Sequence, residues 1–148
     1  MNSKQSSIAM ASDHAGYLLK ELIKAFLEKS GYKVKDFGTH SEDSADYPDH
    51  VHPLATELEA GKHDRGIVLC GSGNEVNITA NKHQGIRSAL CWTPEIARLA
   101  RAHNNANVLA LPARFIDEET ALECVLLFLN TPFEEGRHIK RVEKIRIK

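Results

Sequence analysis

Residues 67–82 read IVLCGSGNEVNITANK, and the interpretation of this stretch decides the fold. An apolar run ends in Cys70, a Gly71-Ser72-Gly73 turn follows, and a helix-like segment comes next. Strand, small-residue loop and helix in this order build an anion site from backbone alone. The glycines let the chain turn tightly and lie close to a ligand, and the start of the helix leaves N–H groups unpaired. The strand is expected to deliver the Cys70 side chain into that site. A thiol beside several N–H donors, which favour negative charge, can act as a base. Each part alone is weak, since a cysteine closing a buried strand is commonly just a small apolar residue. No Walker lysine-serine pair follows the loop, and its glycines do not match the dinucleotide fingerprint. Both facts argue against an ATPase or a dehydrogenase.

Outward from this stretch, short apolar runs alternate with helical patterns. Strands are expected over 8–12, 33–37, 66–70, 86–91 and 108–111. Helices are expected over 16–30, 51–60, 74–82, 94–102 and 117–129. Pro94 suits a first helical turn, and Asp117 suits an N-cap. Residues 40–50 are polar and read as a loop. The tail, 134–148, is basic and partly helical. Such alternation implies an α/β fold in three layers, Rossmann-like, with a five-stranded parallel sheet covered on both faces. There is no repeat, linker or low-complexity segment, so residues 1–148 read as one domain.

At 148 residues the chain is long enough for a real core. Its net charge of -1 gives no basic excess to attract nucleic acid. No apolar stretch approaches a membrane span. The start, MNSKQSS, has no apolar signal core and reads as a disordered lead-in over 1–6. Three cysteines without metal spacing read as reduced thiols in a cytoplasmic protein.

Ligands in parallel sheets bind at the carboxyl ends of the strands. Asp13 and His14 follow the first strand, Cys70–Gly73 the third and Arg114 the fifth, so they should gather on one edge. Each has a plainer reading. Asp13 is either an N-cap or an acceptor for a sugar hydroxyl, and His14 is either a surface residue or an anion ligand. His103 is a helix-end cap or a neutral-pH acid and base. Arg137 and Arg141, four apart, share a helix face. With Arg114 and His138 they form one group, read either as a solvated basic tail or as a phosphate clamp whose tail arginines another subunit supplies. Cys91, Trp92 and Cys124 read as core or interface.

Together the segments SDHAGYLLK (12–20), DFGTH (36–40), DYP (46–48), CGSGN (70–74), ANK (80–82), GIR (85–87), ARAHNNANVLALPAR (100–114) and TPFEEGRHIKRVEKI (131–145) resemble the ribose-5-phosphate isomerase B family, the RpiB/LacAB sugar-phosphate isomerases. The resemblance implies interconversion of ribose 5-phosphate and ribulose 5-phosphate with no metal or organic cofactor. It also implies active sites shared between the two subunits of a homodimer, or within a tetramer, with the C-terminal tail on the partner. By position, Cys70 is the base between C1 and C2, and Ser72 serves the exchange between O1 and O2. Backbone N–H groups of Gly71, Ser72, Gly73, Asn74 and Glu75 hold the enediolate oxygens. His103 opens the ring with Asp13 as its counterpart. Asn104 and Tyr47 bind sugar hydroxyls, and His14, Arg114, Arg137 and Arg141 bind the phosphate. LacAB-type enzymes need two different subunits. This chain carries the cysteine, histidine and arginine sets together, which favours a self-sufficient homodimer.

One position departs from the family pattern. Glu75 stands where a second glycine is usual, raising the prospect of an unfavourable backbone angle and of like-charge repulsion in an anion site. Some members use a loop glutamate as base, but theirs aligns with Val76. Three readings of Glu75 stand: a solvent-facing first-turn residue, a change in substrate preference or pH profile, or a loss of activity. The alternatives to a pentose phosphate are allose or galactose 6-phosphate as substrate, and a phosphosugar-binding protein without turnover.

Overall fold

A computed structural model describes residues 6–147. The chain runs β1 (Ser7–Ser12), α1 (Tyr17–Lys29), β2 (Lys33–Asp36), α2 (Pro48–Glu59), β3 (Arg65–Cys70), α3 (Asn74–Ala80), β4 (Ser88–Leu90), α4 (Pro94–Ala102), β5 (Val108–Pro112), α5 (Glu118–Asn130) and α6 (Arg137–Glu143). The five strands form one parallel sheet in the order β2-β1-β3-β5-β4. This is the α/β three-layer architecture expected.

The two-residue period of a strand sorts the core into two layers. Ile8, Met10, Ile67, Leu69, Leu109 and Leu111 face one side, against α1, α4 and α5. Ala9, Ala11, Val68, Cys70, Val108 and Ala110 face the other, against α2 and α3. Both faces are covered, so the strands read as continuous apolar runs.

The sequence misplaces several boundaries. Helix α2 begins at Pro48, three residues earlier than its apolar pattern suggests. Proline is pre-organised for a first turn, but the polar Pro48-Asp49-His50 start hides that turn from hydrophobic periodicity. Strand β4 keeps only Ser88–Leu90 because it is an edge strand paired with β5 alone. Helix α3 stops at Ala80. The two expected helix starts hold: Asp117 caps α5, accepting the Thr120 N–H at 2.7 Å, and Pro94 opens the first turn of α4 after an N-cap at Thr93. Of the lead-in expected over 1–6, only Ser6 lies among the described residues. Its carbonyl accepts the Lys33 N–H at 2.9 Å, so it is already part of the fold.

An ion pair in the interior was not anticipated. Lys20 of α1 is fully buried, with Nζ 2.6 Å from Asp36 Oδ2 and 3.0 Å from Glu21 Oε2. Lys24 adds a contact at 3.3 Å, and Asp36 Oδ1 accepts the Gly38 N–H at 2.8 Å. Burial pushes the Asp36 carboxyl up. The bonds from Lys20 and Gly38 and the two lysine charges outweigh it and hold the group below the usual carboxylate range.

From β1 the chain steps to β2 on one side and later reaches β3 on the other. Crossovers leaving β1 and entering β3 therefore diverge, opening a crevice at their carboxyl ends. The turn after β1 closes tightly on β3. A Cβ at Gly16 would lie 2.8–2.9 Å from Cβ, C and O of Leu69, so only glycine fits there.

Candidate active site

The crevice gathers side chains from four elements. Asp13, 6% exposed, spends one oxygen on the turn, its Oδ1 accepting the Gly16 N–H at 2.9 Å. His14 Nδ1 accepts the Ala45 N–H at 3.3 Å, so the proton of the neutral ring sits on Nε2, free to donate to an anion. Arg114 is hung from the cysteine loop by its backbone. Its N–H donates to Gly71 O at 3.0 Å, and the Ala113 N–H to Cys70 O at 2.9 Å. Asp13, His14, Tyr47, Gly71, Ser72, Glu75 and Arg114 line one pocket of about 390 Å³. Ala15, Ala45, Asp46 and Phe115, not anticipated from sequence, complete it.

Cys70 differs from the expectation. Its side chain is fully buried and follows Val68 onto the layer facing α2 and α3, beneath the loop instead of in the pocket wall. The reason is strand period: residues 68 and 70 share a face, and α3 covers it. One N–H reaches the sulfur where several were expected, that of Gly73 at 3.1 Å. Gly73 makes this contact from a left-handed backbone, φ 77°, as the N-cap of α3. The Asn74 N–H donates to Ser72 Oγ at 3.2 Å. Gly73 and Asn74 thus have their N–H groups engaged within the loop and do not line the pocket.

Glu75 sits in the first turn of α3, exposed, at the wall of the same pocket. The positive-φ non-glycine residues among those described are Asn105 and Glu135, so the helical backbone accepts a Cβ at position 75 without strain. Its carboxylate has no partner among the described residues. The electrostatic concern therefore stands, while the conformational one does not.

The remaining expected residues form a second cleft. His103 is the C-cap of α4 and, with Asn104, Arg137, His138 and Arg141, lines a pocket of about 390 Å³. No residue lines both clefts. The expected phosphate ligands are thereby split, with His14 and Arg114 in the first and Arg137 and Arg141 in the second. The loop carrying His103 is braced by Arg101. That buried side chain donates to Asn105 Oδ1 at 2.8 Å and to the Ala106 carbonyl at 2.7 Å. Burial, then the charges of Arg65 and Arg87, push its guanidinium down to about 10.

His103, Glu134 and His138 bring one potential ligand atom each within 4.8 Å of one another. They make a poor metal cage. The two rings are stacked with planes only 16° apart, so their in-plane lone pairs do not converge, and Arg137 and Arg141 flank them. Burial, His103 and Arg137 push the His138 imidazole below its ordinary range.

Reading the sequence grouped His138 with the arginines but missed Arg101 and Glu134 as site residues. The only signal was their place inside the motifs at 100–114 and 131–145. A larger cavity, about 530 Å³, lies between residues 81–89 and the Ile145–Ile147 strip. It touches Asn104 but neither the cysteine nor the arginine pair. Cys91 and Cys124 are buried, which pushes their thiols up to about 12 and about 11, as suits core residues. Trp92 is half exposed.

Comparison with known proteins gives a consistent picture. Residues 8–145 match the family model described as Ribose/Galactose Isomerase. The chain is 42% identical over 138 residues to ribose-5-phosphate isomerase B of Escherichia coli strain K12, covering 93% of each chain. It is also 42% identical over 140 residues to D-erythrulose-4-phosphate isomerase of Pectobacterium atrosepticum, covering 94% of this chain and 92% of that one. Among solved structures, a ribose 5-phosphate isomerase from Thermotoga maritima superposes with a TM-score of 0.94 at 49% identity. That match covers 97% of this chain and 99% of the other.

Proposed function

The chain belongs to the ribose/galactose isomerase family, and from that premise we propose that it interconverts ribose 5-phosphate and ribulose 5-phosphate through an enediolate. The observation that carries this reading is the first cleft. It joins a carboxylate, an imidazole, a hydroxyl and a guanidinium over a buried thiol at the sheet's switch point.

His103 gives a proton to the ring oxygen while Asp13 takes one from O1, and the C1–O bond of the ring breaks to leave an open aldehyde. Cys70 then removes the proton on C2 and returns it to C1. Ser72 carries the hydroxyl proton from O2 to O1. Of the N–H groups of residues 71–75, those of Gly73 and Asn74 are spent within the loop, which leaves Gly71, Ser72 and Glu75 to face the charge that develops on these oxygens, where each donor is worth about 3 kcal/mol. His14 and Arg114 bind the phosphate with Arg137 and Arg141, and Tyr47 and Asn104 bind hydroxyls. Because the phosphate ligands divide between two clefts, each site is completed by the partner subunit's His103, Asn104, Arg137 and Arg141 in a homodimer, or in a tetramer built from it. The single domain spans 1–148, its basic tail packs on the partner, and three unpaired thiols suit the cytoplasm. No helix among the described residues is long and apolar enough to cross a membrane.

A second reading keeps the chemistry and changes the sugar. The relatives that act on a five-carbon and on a four-carbon phosphate are equally identical to this chain, and the unpartnered Glu75 carboxylate lies in the pocket. An isomerase assay on four-, five- and six-carbon phosphates decides the substrate, and Cys70→Ala tests the base. Full activity in Cys70→Ala sinks the base assignment. Calorimetric binding of ribose 5-phosphate without turnover sinks the enzyme reading. Mixing Cys70→Ala with His103→Asn tests the shared site. Hybrid dimers hold one intact site and regain activity only if the two residues act across the interface.

A further inference from the structure

His103 has two neighbours to which the family resemblance assigns no role. The His138 ring stacks on it with centroids 4.4 Å apart. Glu134 Oε1 lies 3.6 Å from His103 Nε2 and 3.7 Å from His138 Nε2. Main-chain bonds tie both neighbours down. The Glu134 N–H donates to the carbonyl of Ala102, next to His103, at 2.9 Å, and the His138 N–H donates to Glu135 O at 3.0 Å. His138 is only 9% exposed, so its ring has little room to swing.

We infer that Glu134 and His138 are positioning residues for His103, setting its ring plane and keeping the proton it delivers to the sugar ring oxygen. The inference rests on the reading of His103 as the ring-opening acid. A stacked imidazole blocks rotation about the outer side-chain torsion, which otherwise is broad. The carboxylate stabilises one positive charge in the pair, and two charges on stacked rings would repel. Burial disfavours charge on the His138 ring, and His103 is the more exposed of the two rings and the one that opens to the cleft. Glu95 and Arg98 of α4 also face this group but are paired with each other at 2.8 Å. Arg137 and Arg141 of α6 add positive charge, and Glu134 is the carboxylate within 4 Å of both rings among the described residues.

Sugar chemistry separates this role from a structural one. Ribose 5-phosphate closes to a furanose and must be opened. Ribulose 5-phosphate has its C5 oxygen esterified, cannot form a five-membered ring, and reaches the enediolate directly. Two reactions are therefore measured on the full-length protein: turnover of ribose 5-phosphate, and deuterium exchange into C1 of ribulose 5-phosphate in D2O by NMR. In Glu134→Gln and His138→Ala, turnover falls about 10- to 100-fold while exchange stays within about twofold. Thermal unfolding checks that each variant is folded, and Glu134, half exposed, tolerates substitution even if His138 does not. His103→Asn shows the same split. Equal loss of both reactions, or loss of neither, in the folded Glu134 variant overturns the inference alone. A wild-type protein with neither activity, or a His103→Asn variant without the split, overturns the reading beneath it.

Discussion

Gly73→Ala is the substitution for which the structure yields the fullest estimate. Gly73 adopts φ 77°, where a Cβ crowds the following carbonyl at about 1–2 kcal/mol. That Cβ would also touch Leu90 Cδ1 and lie 3.2 Å from both the carbonyl carbon of Leu111 and the nitrogen of Pro112. Leu90 can turn away. The β5 backbone cannot, because β3 and β4 pair with it on both sides. Crowding of this kind adds about 1–3 kcal/mol. A total near 2–5 kcal/mol is a large part of a typical stability of about 5–15 kcal/mol, and it lowers the melting temperature by roughly 5–20 °C. Any relaxation moves the Gly73 N–H away from Cys70 Sγ, so kcat falls as well. Gly61→Ala is the control. Its φ is 78°, nothing lies within 4 Å of the added Cβ, and it sits at the far end of α2, so it carries the backbone strain alone with activity intact. The measurements are thermal unfolding and ribose 5-phosphate turnover on both variants. Equal melting temperatures for the two, or a Gly73→Ala protein with unchanged kcat, would refute the packing argument.

Gly71→Ala should be milder. Its Cβ meets only the flexible Arg114 side chain at 3.2–3.3 Å, so KM for the sugar phosphate rises while unfolding moves by less than about 1 kcal/mol. Glu75→Gly should raise kcat/KM about fivefold. Removing one like charge is worth about 1 kcal/mol, the energy of two charges ~4 Å apart in water. Glu75→Gln should match that gain if charge is the cause, and added salt should shrink it; no gain in either variant makes the carboxylate a bystander. Lys20→Met leaves the largely buried Asp36 without its closest cation, Lys24 at 3.3 Å being the nearest that remains, and should cost about 3–5 kcal/mol in urea unfolding. Because the folded Asp36 carboxyl is held below its unfolded value, its contribution is present above the unfolded value of about 3.9. It is lost as pH falls through the folded value, so Asp36→Asn should flatten the acid limb of the stability curve below about pH 4.

Much of the fold is legible because its signals are local. Short apolar runs, glycine turns and the proline at the α4 start identify every strand and most helices. The errors fall where local signals conflict or vanish, as at the polar first turn of α2 and the short edge strand β4. Lys20 was invisible for a related reason. A lysine on an apolar helix face reads as a stem lying along the surface, and only its meeting with Asp36, 16 residues away, explains its burial.

The candidate site divides in the same way. Residue types and their order are properties of the chain, so the loop at 70–75, the turn at 13–14 and the arginine pair could be named, as could the departure at Glu75. Direction and company are not. Cys70 lies under its loop because the third strand's register puts it on the face that α3 covers, and a backbone N–H, instead of a ring of donors, meets its sulfur. Glu134 and His138 acquire a role only because the loop before α6 bonds back to the end of α4. The sequence by itself determined the layers, the strand ends that carry chemistry and the kind of ligand they suit, since those follow from periodicity and residue chemistry. Only the tertiary structure decided that the expected residues form two clefts in one chain. Contacts between segments distant in sequence are set by packing, and no local pattern records them.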